Sequence, residues 1–272
     1  MVRQPAVAGA FYPAEKSKLV AILERFLAEG APLGGVVAVV SPHAGYPYSG
    51  AAAGAVFASV EVPATVVIMG PNHRGIGAAY GIYDKGSWRT PLGDAPIDEK
   101  FAAALLKEER FLTADTASHM YEHSIEVQVP FLQYRRPDVK IVPICIGDHD
   151  LGKLTALGGA IARTAKAVSI EPLVVASSDM SHYESADSAA RKDRMAIERM
   201  LALDEEGLWE VVRRHEITMC GVAPAVAAIV AARELGAREA KLIKYTSSGE
   251  TTGDMTEVVG YASVAFMKSE NE

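Results

Sequence analysis

The chain has 272 residues, 49% apolar and 22% charged, with 27 Lys plus Arg against 34 Asp plus Glu and a net charge of −7. That balance excludes disordered and collagen-like classes and argues against a uniformly basic nucleic-acid surface. Two cysteines, Cys145 and Cys220, are too few for a disulfide framework, so a reducing, cytoplasmic setting is expected.

Met1-Val2-Arg3-Gln4-Pro5 lacks the basic, apolar and small-residue order of a secretory leader. Leu19, Ile22, Leu23, Phe26 and Leu27 fall on one face of an amphipathic helix, which Gly30 stops. No Asp, Glu, Lys or Arg occurs from residue 31 to 60. Pro42, Gly45 and Pro47 break that run, so it predicts a buried strand over 36–40, a loop and a small-residue helix rather than a membrane span.

Further apolar runs predict strands over 65–69, 139–146, 173–176, 241–245 and 258–267, with Cys145 inside the core. Helices are expected over about 186–203, with Arg191, Lys192, Asp193 and Arg194 on the wet side, from an Asp204 cap onward, burying Leu208, Val211 and Val212, and over about 222–235. The last two strands are joined by a polar stretch without a helix and can pair antiparallel. The expected architecture is a three-layer α/β/α sandwich around a mixed sheet, as one domain spanning 1–272, with no repeat or low-complexity linker.

Three of the strands run into a histidine within six residues: Ser41-Pro42-His43, Gly70-Pro71-Asn72-His73 and Ser177-Ser178-Asp179-Met180-Ser181-His182. Ligands of open α/β sheets bind beyond the carboxyl ends of the strands, where these side chains can converge. Neutral imidazole is the commonest metal ligand, and two histidines with one anionic ligand leave coordination positions open.

His119 and His123 stand four apart, as on one helix face, within a segment that also holds Glu122 and Glu126. The order does not match the zinc-protease signature, and the two carboxylates read as surface or helix-start charges. Cys220 precedes the Ala/Val-rich helix, where free N–H groups favour a thiolate that could be a nucleophile or a metal ligand. Phosphate loops and the hydrolase elbow are missing, and Ser177, Ser178, Asp179 and His182 crowd one loop too closely for a triad.

The chain resembles the Memo family in Gln4-Pro5-Ala6-Val7-Ala8-Gly9-Ala10-Phe11-Tyr12-Pro13, Pro42-His43-Ala44-Gly45-Tyr46 and Gly70-Pro71-Asn72-His73. The likeness continues through Thr90-Pro91-Leu92-Gly93-Asp94, Glu122-His123-Ser124-Ile125-Glu126, Ser178-Asp179-Met180-Ser181-His182 and the segment 245–262. It implies a fold like that of the class III extradiol ring-cleaving dioxygenases. It also implies metal ligation by His43, His73 and Cys220, with His182, Asp179 and His123 lining the pocket. The implied cofactor is iron, with copper or zinc as alternatives. The implied partners are an Amme-type domain and a radical-SAM protein, as in the AmmeMemoRadiSam system; no nucleic-acid or membrane partner is expected.

The ring-cleaving proteins use a carboxylate as third ligand where this chain offers Cys220. Thiolate is softer and favours iron, zinc or Cu(I). Ser181 stands where relatives can carry a second cysteine, which weakens a paired-cysteine redox role. The leading expectation is therefore a metal-dependent redox enzyme, with His182 or His123 as general acid/base and Asp179 orienting an imidazole. The alternatives are a non-catalytic peptide- or protein-binding module on a degenerate dioxygenase fold, and a metal-independent cysteine hydrolase built on Cys220.

Overall fold

Thr65–Pro71 is buried at all seven positions, which requires cover on both faces of the strand. The structure, a computed structural model, describes residues 1–28 and 30–269. Its strands are β1 (Val2–Arg3), β2 (Val36–Ser41), β3 (Thr65–Pro71), β4 (Tyr80–Ile82), β5 (Ser87–Thr90), β6 (Gly93–Pro96), β7 (Thr113–Ala114), β8 (Lys140–Ile146), β9 (Leu173–Ser177), β10 (His182–Glu184), β11 (Glu239–Ser247) and β12 (Val258–Met267). Its helices are α1 (Lys16–Leu27), α2 (Tyr46–Ser59), α3 (Glu99–Glu108), α4 (Val129–Arg135), α5 (Leu151–Val168), α6 (Ala186–Leu201), α7 (Glu205–Arg214), α8 (Val222–Glu234) and α9 (Gly249–Thr252).

The large sheet runs β10-β12-β2-β9-β3-β8-β4-β7, with β11 also paired to β12. Its centre, β2-β9-β3-β8, is parallel, while β12 joins β2, β11 joins β12 and β4 joins β8 antiparallel. The sheet is therefore mixed, and helices cover it on both sides. One layer centres on α8, which packs on β2, β3 and β9 and carries α5 and α7. Every residue of α8 from Val222 to Ala232 is buried, so small Ala and Val side chains on all sides let its neighbours close in. Another group is α2 with α1 and α4; Leu19 and Leu23 form the buried stripe of α1.

After β2 the chain skips one place to form β3 and later returns to insert β9 between them. Ser41 is level with Ser177, and Met69 with Ala176, so the carboxyl ends of β2, β9 and β3 open along one edge. Such an edge, where the strand order reverses, is where ligands of open α/β sheets sit.

The expected helices and long strands are present with small shifts at their ends, and Asp204 caps α7 by accepting from the Gly207 N–H. Leu208 and Val212 of α7 are buried and Val211 is half-buried. Three features depart from expectation. The connection between β11 and β12 contains the one-turn α9. Asp193 lies on the inner side of α6, fully buried, and accepts hydrogen bonds from the Ser181 N–H (2.9 Å) and the Tyr245 hydroxyl (2.8 Å). A second sheet, β1-β5-β6, leaves no signature in the hydropathy because its strands are two to four residues long. Among the described residues no helix is long and apolar enough to cross a membrane.

Candidate metal centre

His43 follows β2 by two residues and is 2% exposed. Its N–H donates to Asp179 Oδ1 (2.7 Å), and its Nδ1 lies 2.9 Å from Ser177 Oγ. Ser177 has one hydroxyl proton, which it donates to the Ser124 carbonyl (2.6 Å), and it also accepts from Gln128 Nε2 (2.8 Å). His43 Nδ1 must then carry the proton and donate to Ser177, which leaves Nε2 as a bare acceptor. Ser177, part of the crowded serine loop, thus orients an imidazole.

His73 follows β3 by two residues. Its N–H donates to Glu122 Oε2 (2.7 Å) and its Nδ1 to Glu122 Oε1 (2.9 Å), so its Nε2 is free as well. Glu122 Oε1 also accepts from the N–H groups of His123 and Ser124, each at 2.9 Å, and lies 3.4 Å from His123 Nδ1. Burial alone would raise this carboxyl. The hydrogen bond and charge of His73, the Ser124 N–H and the charge of His123 outweigh it and hold the pKa at about 2.

The three imidazoles meet. His73 and His123 stack with centroids 4.7 Å apart, and His43 presents its edge to both, at 5.2 and 5.5 Å. One ligand atom from each of His43, His73 and His123 lies within 4.8 Å of the others. Burial, and then the positive charge of neighbouring histidines, holds His43 well below the ordinary imidazole value. Burial likewise brings His123 to about 4. Burial thus favours the neutral form of His43 and His123, the form that ligates a metal.

Cys220 Sγ is 3.2 Å from His43 Nε2 and accepts from the Asp179 N–H (3.3 Å). It lies before the Gly221 cap of α8. Burial, followed by the charge of Asp179, pushes the thiol pKa up despite the local N–H groups, so the helix start does not by itself produce the expected thiolate. A bound cation would supply the missing positive charge. Gly221 is needed for this approach: a Cβ there would overlap the Ser177 carbonyl oxygen and stand 2.7 Å from Ser178 Cα.

Asp179 is buried, and its pKa rises to about 6 through burial, partly offset by the His43 and Ala44 N–H groups and by His182. His182 opens β10, donates from Nδ1 to the Thr218 carbonyl (2.9 Å), and acts by its charge on Asp179 and His43. Among the described residues the ligand atoms that cluster are those of His43, His73 and His123; the expected ligand Cys220 touches the group through His43 Nε2, Asp179 holds the His43 N–H, and His182 lies to one side on Thr218.

Two expectations for the segment before α4 fail. His119 and His123 do not share a helix face, because residues 117–119 form a short 3₁₀ turn that ends before His123. His119 is buried against Trp88 and Tyr83, with Nε2 3.0 Å from the Gly81 carbonyl, away from the other imidazoles. Glu122 and Glu126 are each 1% exposed rather than surface charges. Glu126 pairs with Arg3 (2.6 Å) and accepts from the Ala6 and Val7 N–H groups and the Tyr12 hydroxyl. Long-range partners of this kind leave no mark in local spacing. His149 packs on Trp209 and His215 caps α7, both outside the cluster. A cavity of about 710 Å³ between α6 and β11 also lies apart from it.

The sequence profile of the Memo-like protein family matches residues 3–265. A MEMO1 family protein of Methanopyrus kandleri is 45% identical, the match covering 98% of this chain and all of that protein. One of Pyrobaculum aerophilum is 41% identical over 98% of this chain and 99% of the relative. An uncharacterized Escherichia coli protein has a similar solved fold, with a TM-score of 0.55 and 14% identity, covering 84% of this chain and 98% of its own.

Proposed function

Because this chain belongs to the Memo family, we propose that it acts as a metal-dependent redox enzyme, with iron as the resident ion and copper or zinc as the competing occupants. The observation that carries this is the cluster of three imidazole nitrogens within 4.8 Å, backed by Ser177 behind His43 and Glu122 behind His73. Fixed Nδ1–H groups facing a hydroxyl or carboxylate are the usual outer shell of a metal site.

His43 and His73 would supply two ligands, His123 of the same cluster a third, and Cys220, beside His43 Nε2, a thiolate donor. A nitrogen and thiolate donor set suits iron, copper or zinc over magnesium or calcium. Iron or copper held there supplies one-electron redox chemistry with open positions for substrate. His182, with Nδ1 committed to the Thr218 carbonyl, keeps Nε2 free to accept or return a proton. Asp179, whose carboxyl burial raises to about 6, fixes the His43 backbone by accepting its N–H.

Metal analysis of protein purified without chelator should find about one ion per chain. His43→Ala and Cys220→Ser should each lower that content; unchanged content in both would refute the site. Metal-dependent consumption of O₂ with a small reductant supports redox turnover, and its absence from iron- and copper-loaded protein counts against it. An Amme-type domain and a radical-SAM protein belong to the same proposal as partners, tested by co-purification with the tagged chain.

A further inference from the structure

Arg3 forms part of the two-residue strand β1, level with Trp88 of β5, and is 5% exposed. Its guanidinium lies 4.1 Å from the centroid of the Trp88 ring. Three of its donors reach one short segment. Nε donates to the His119 carbonyl (2.7 Å), Nη2 to the Glu122 carbonyl (2.7 Å) and Nη1 to Glu126 Oε2 (2.6 Å). The segment is thus held near its start, middle and end by one planar group.

The middle contact bears on the metal centre. The Glu122 carbonyl belongs to the peptide whose N–H is that of His123. Arg3 holds this peptide plane on its oxygen side, and Glu122 Oε1 holds it on its nitrogen side at 2.9 Å. Rotation of that plane would change ψ at Glu122 and φ at His123, and so break the N–H contact to the Glu122 carboxylate that orients His73 and turn the bonds that carry the His123 ring. We propose that Arg3 is a positioning residue for the metal centre: by clamping residues 119–126 it sets where His123 and Glu122 stand. This rests on the metal reading above.

A lysine cannot replace it. An ammonium can keep the charge beside Glu126, but it lacks the fork that reaches two carbonyls and a carboxylate together. Arg3→Lys therefore separates charge from geometry.

The test uses the full chain with Co²⁺ alone as the probe, comparing wild type, Arg3→Lys, Arg3→Met and His123→Ala. Far-UV circular dichroism first establishes folding. Both Arg3 variants should bind Co²⁺ about 10–100-fold more weakly, the usual effect of removing outer-shell support. Their visible Co²⁺ bands should move toward the band of His123→Ala. A residue that only stabilises the fold would lower the unfolding temperature and leave affinity and band unchanged; that result in a folded Arg3 variant overturns the proposal. If Arg3→Met does not fold, Arg3→Lys decides. If wild type takes up no Co²⁺, the metal reading falls on its own, and amide hydrogen exchange then judges the clamp. Selective loss of protection over 119–126 in an Arg3 variant supports it, and unchanged protection overturns it.

Discussion

His119 gives an acid-stability prediction separate from metal binding. Its ring is buried against Trp88 and Tyr83, and burial, only partly opposed by the bond to the Gly81 carbonyl, lowers its pKa to about 4. In the unfolded chain it titrates near 6.5. As pH falls through 6.5 the unfolded state takes up the proton first, so native stability drops, and the loss levels off below about 4. Full titration over that interval is worth about 3 kcal/mol, and about 2 kcal/mol is already lost by pH 5. His119→Gln removes the titration while keeping an amide to donate to Gly81. Urea unfolding of metal-free protein at pH 7.5 and pH 5 measures the difference. Wild type should lose about 2 kcal/mol more than the variant on acidification, because His43 and His123 titrate in both proteins. Parallel stability curves would refute the claim that His119 is held neutral by burial.

Glu122→Gln should weaken Co²⁺ binding by about 10–100-fold and also cost about 1–3 kcal/mol of stability, since it replaces the buried acceptor behind His73 with an amide whose donors face donors; titration monitored by the visible spectrum and urea unfolding check this. Glu126→Ala leaves the buried Arg3 charge without its partner and should cost about 3–5 kcal/mol in urea unfolding. Gly221→Ala should cost about 1–3 kcal/mol, because the new methyl presses on the Ser177–Ser178 backbone and displaces Cys220. A Gly221→Ala protein with wild-type stability would mean that this turn can shift freely.

The layers, and two of the three clustered imidazoles, His43 and His73, were legible in the chain's own pattern. Unbroken apolar runs such as 65–69 can only be satisfied by cover on both faces, and three histidines placed just beyond such runs mark the carboxyl edge of a parallel sheet. The family was equally legible, because its motifs are contiguous stretches around those strand ends. What the sequence could not decide was which polar groups face each other. Glu122 and Glu126 sit in a polar-looking segment, and nothing local tells that one carboxylate would gather the His73 and His123 backbones while the other would neutralise Arg3, 123 residues away. His119 and His123 have helix spacing, yet the backbone turns between them and sends one ring to Trp88 and the other to His73. Asp193 sits among charged neighbours and still faces inward, because the Ser181 N–H and the Tyr245 hydroxyl await it there. Periodicity reports how a segment divides between water and core. A buried charge is placed by partners that only the folded chain brings within reach, and in this protein Glu122 so placed stands directly behind the imidazole cluster.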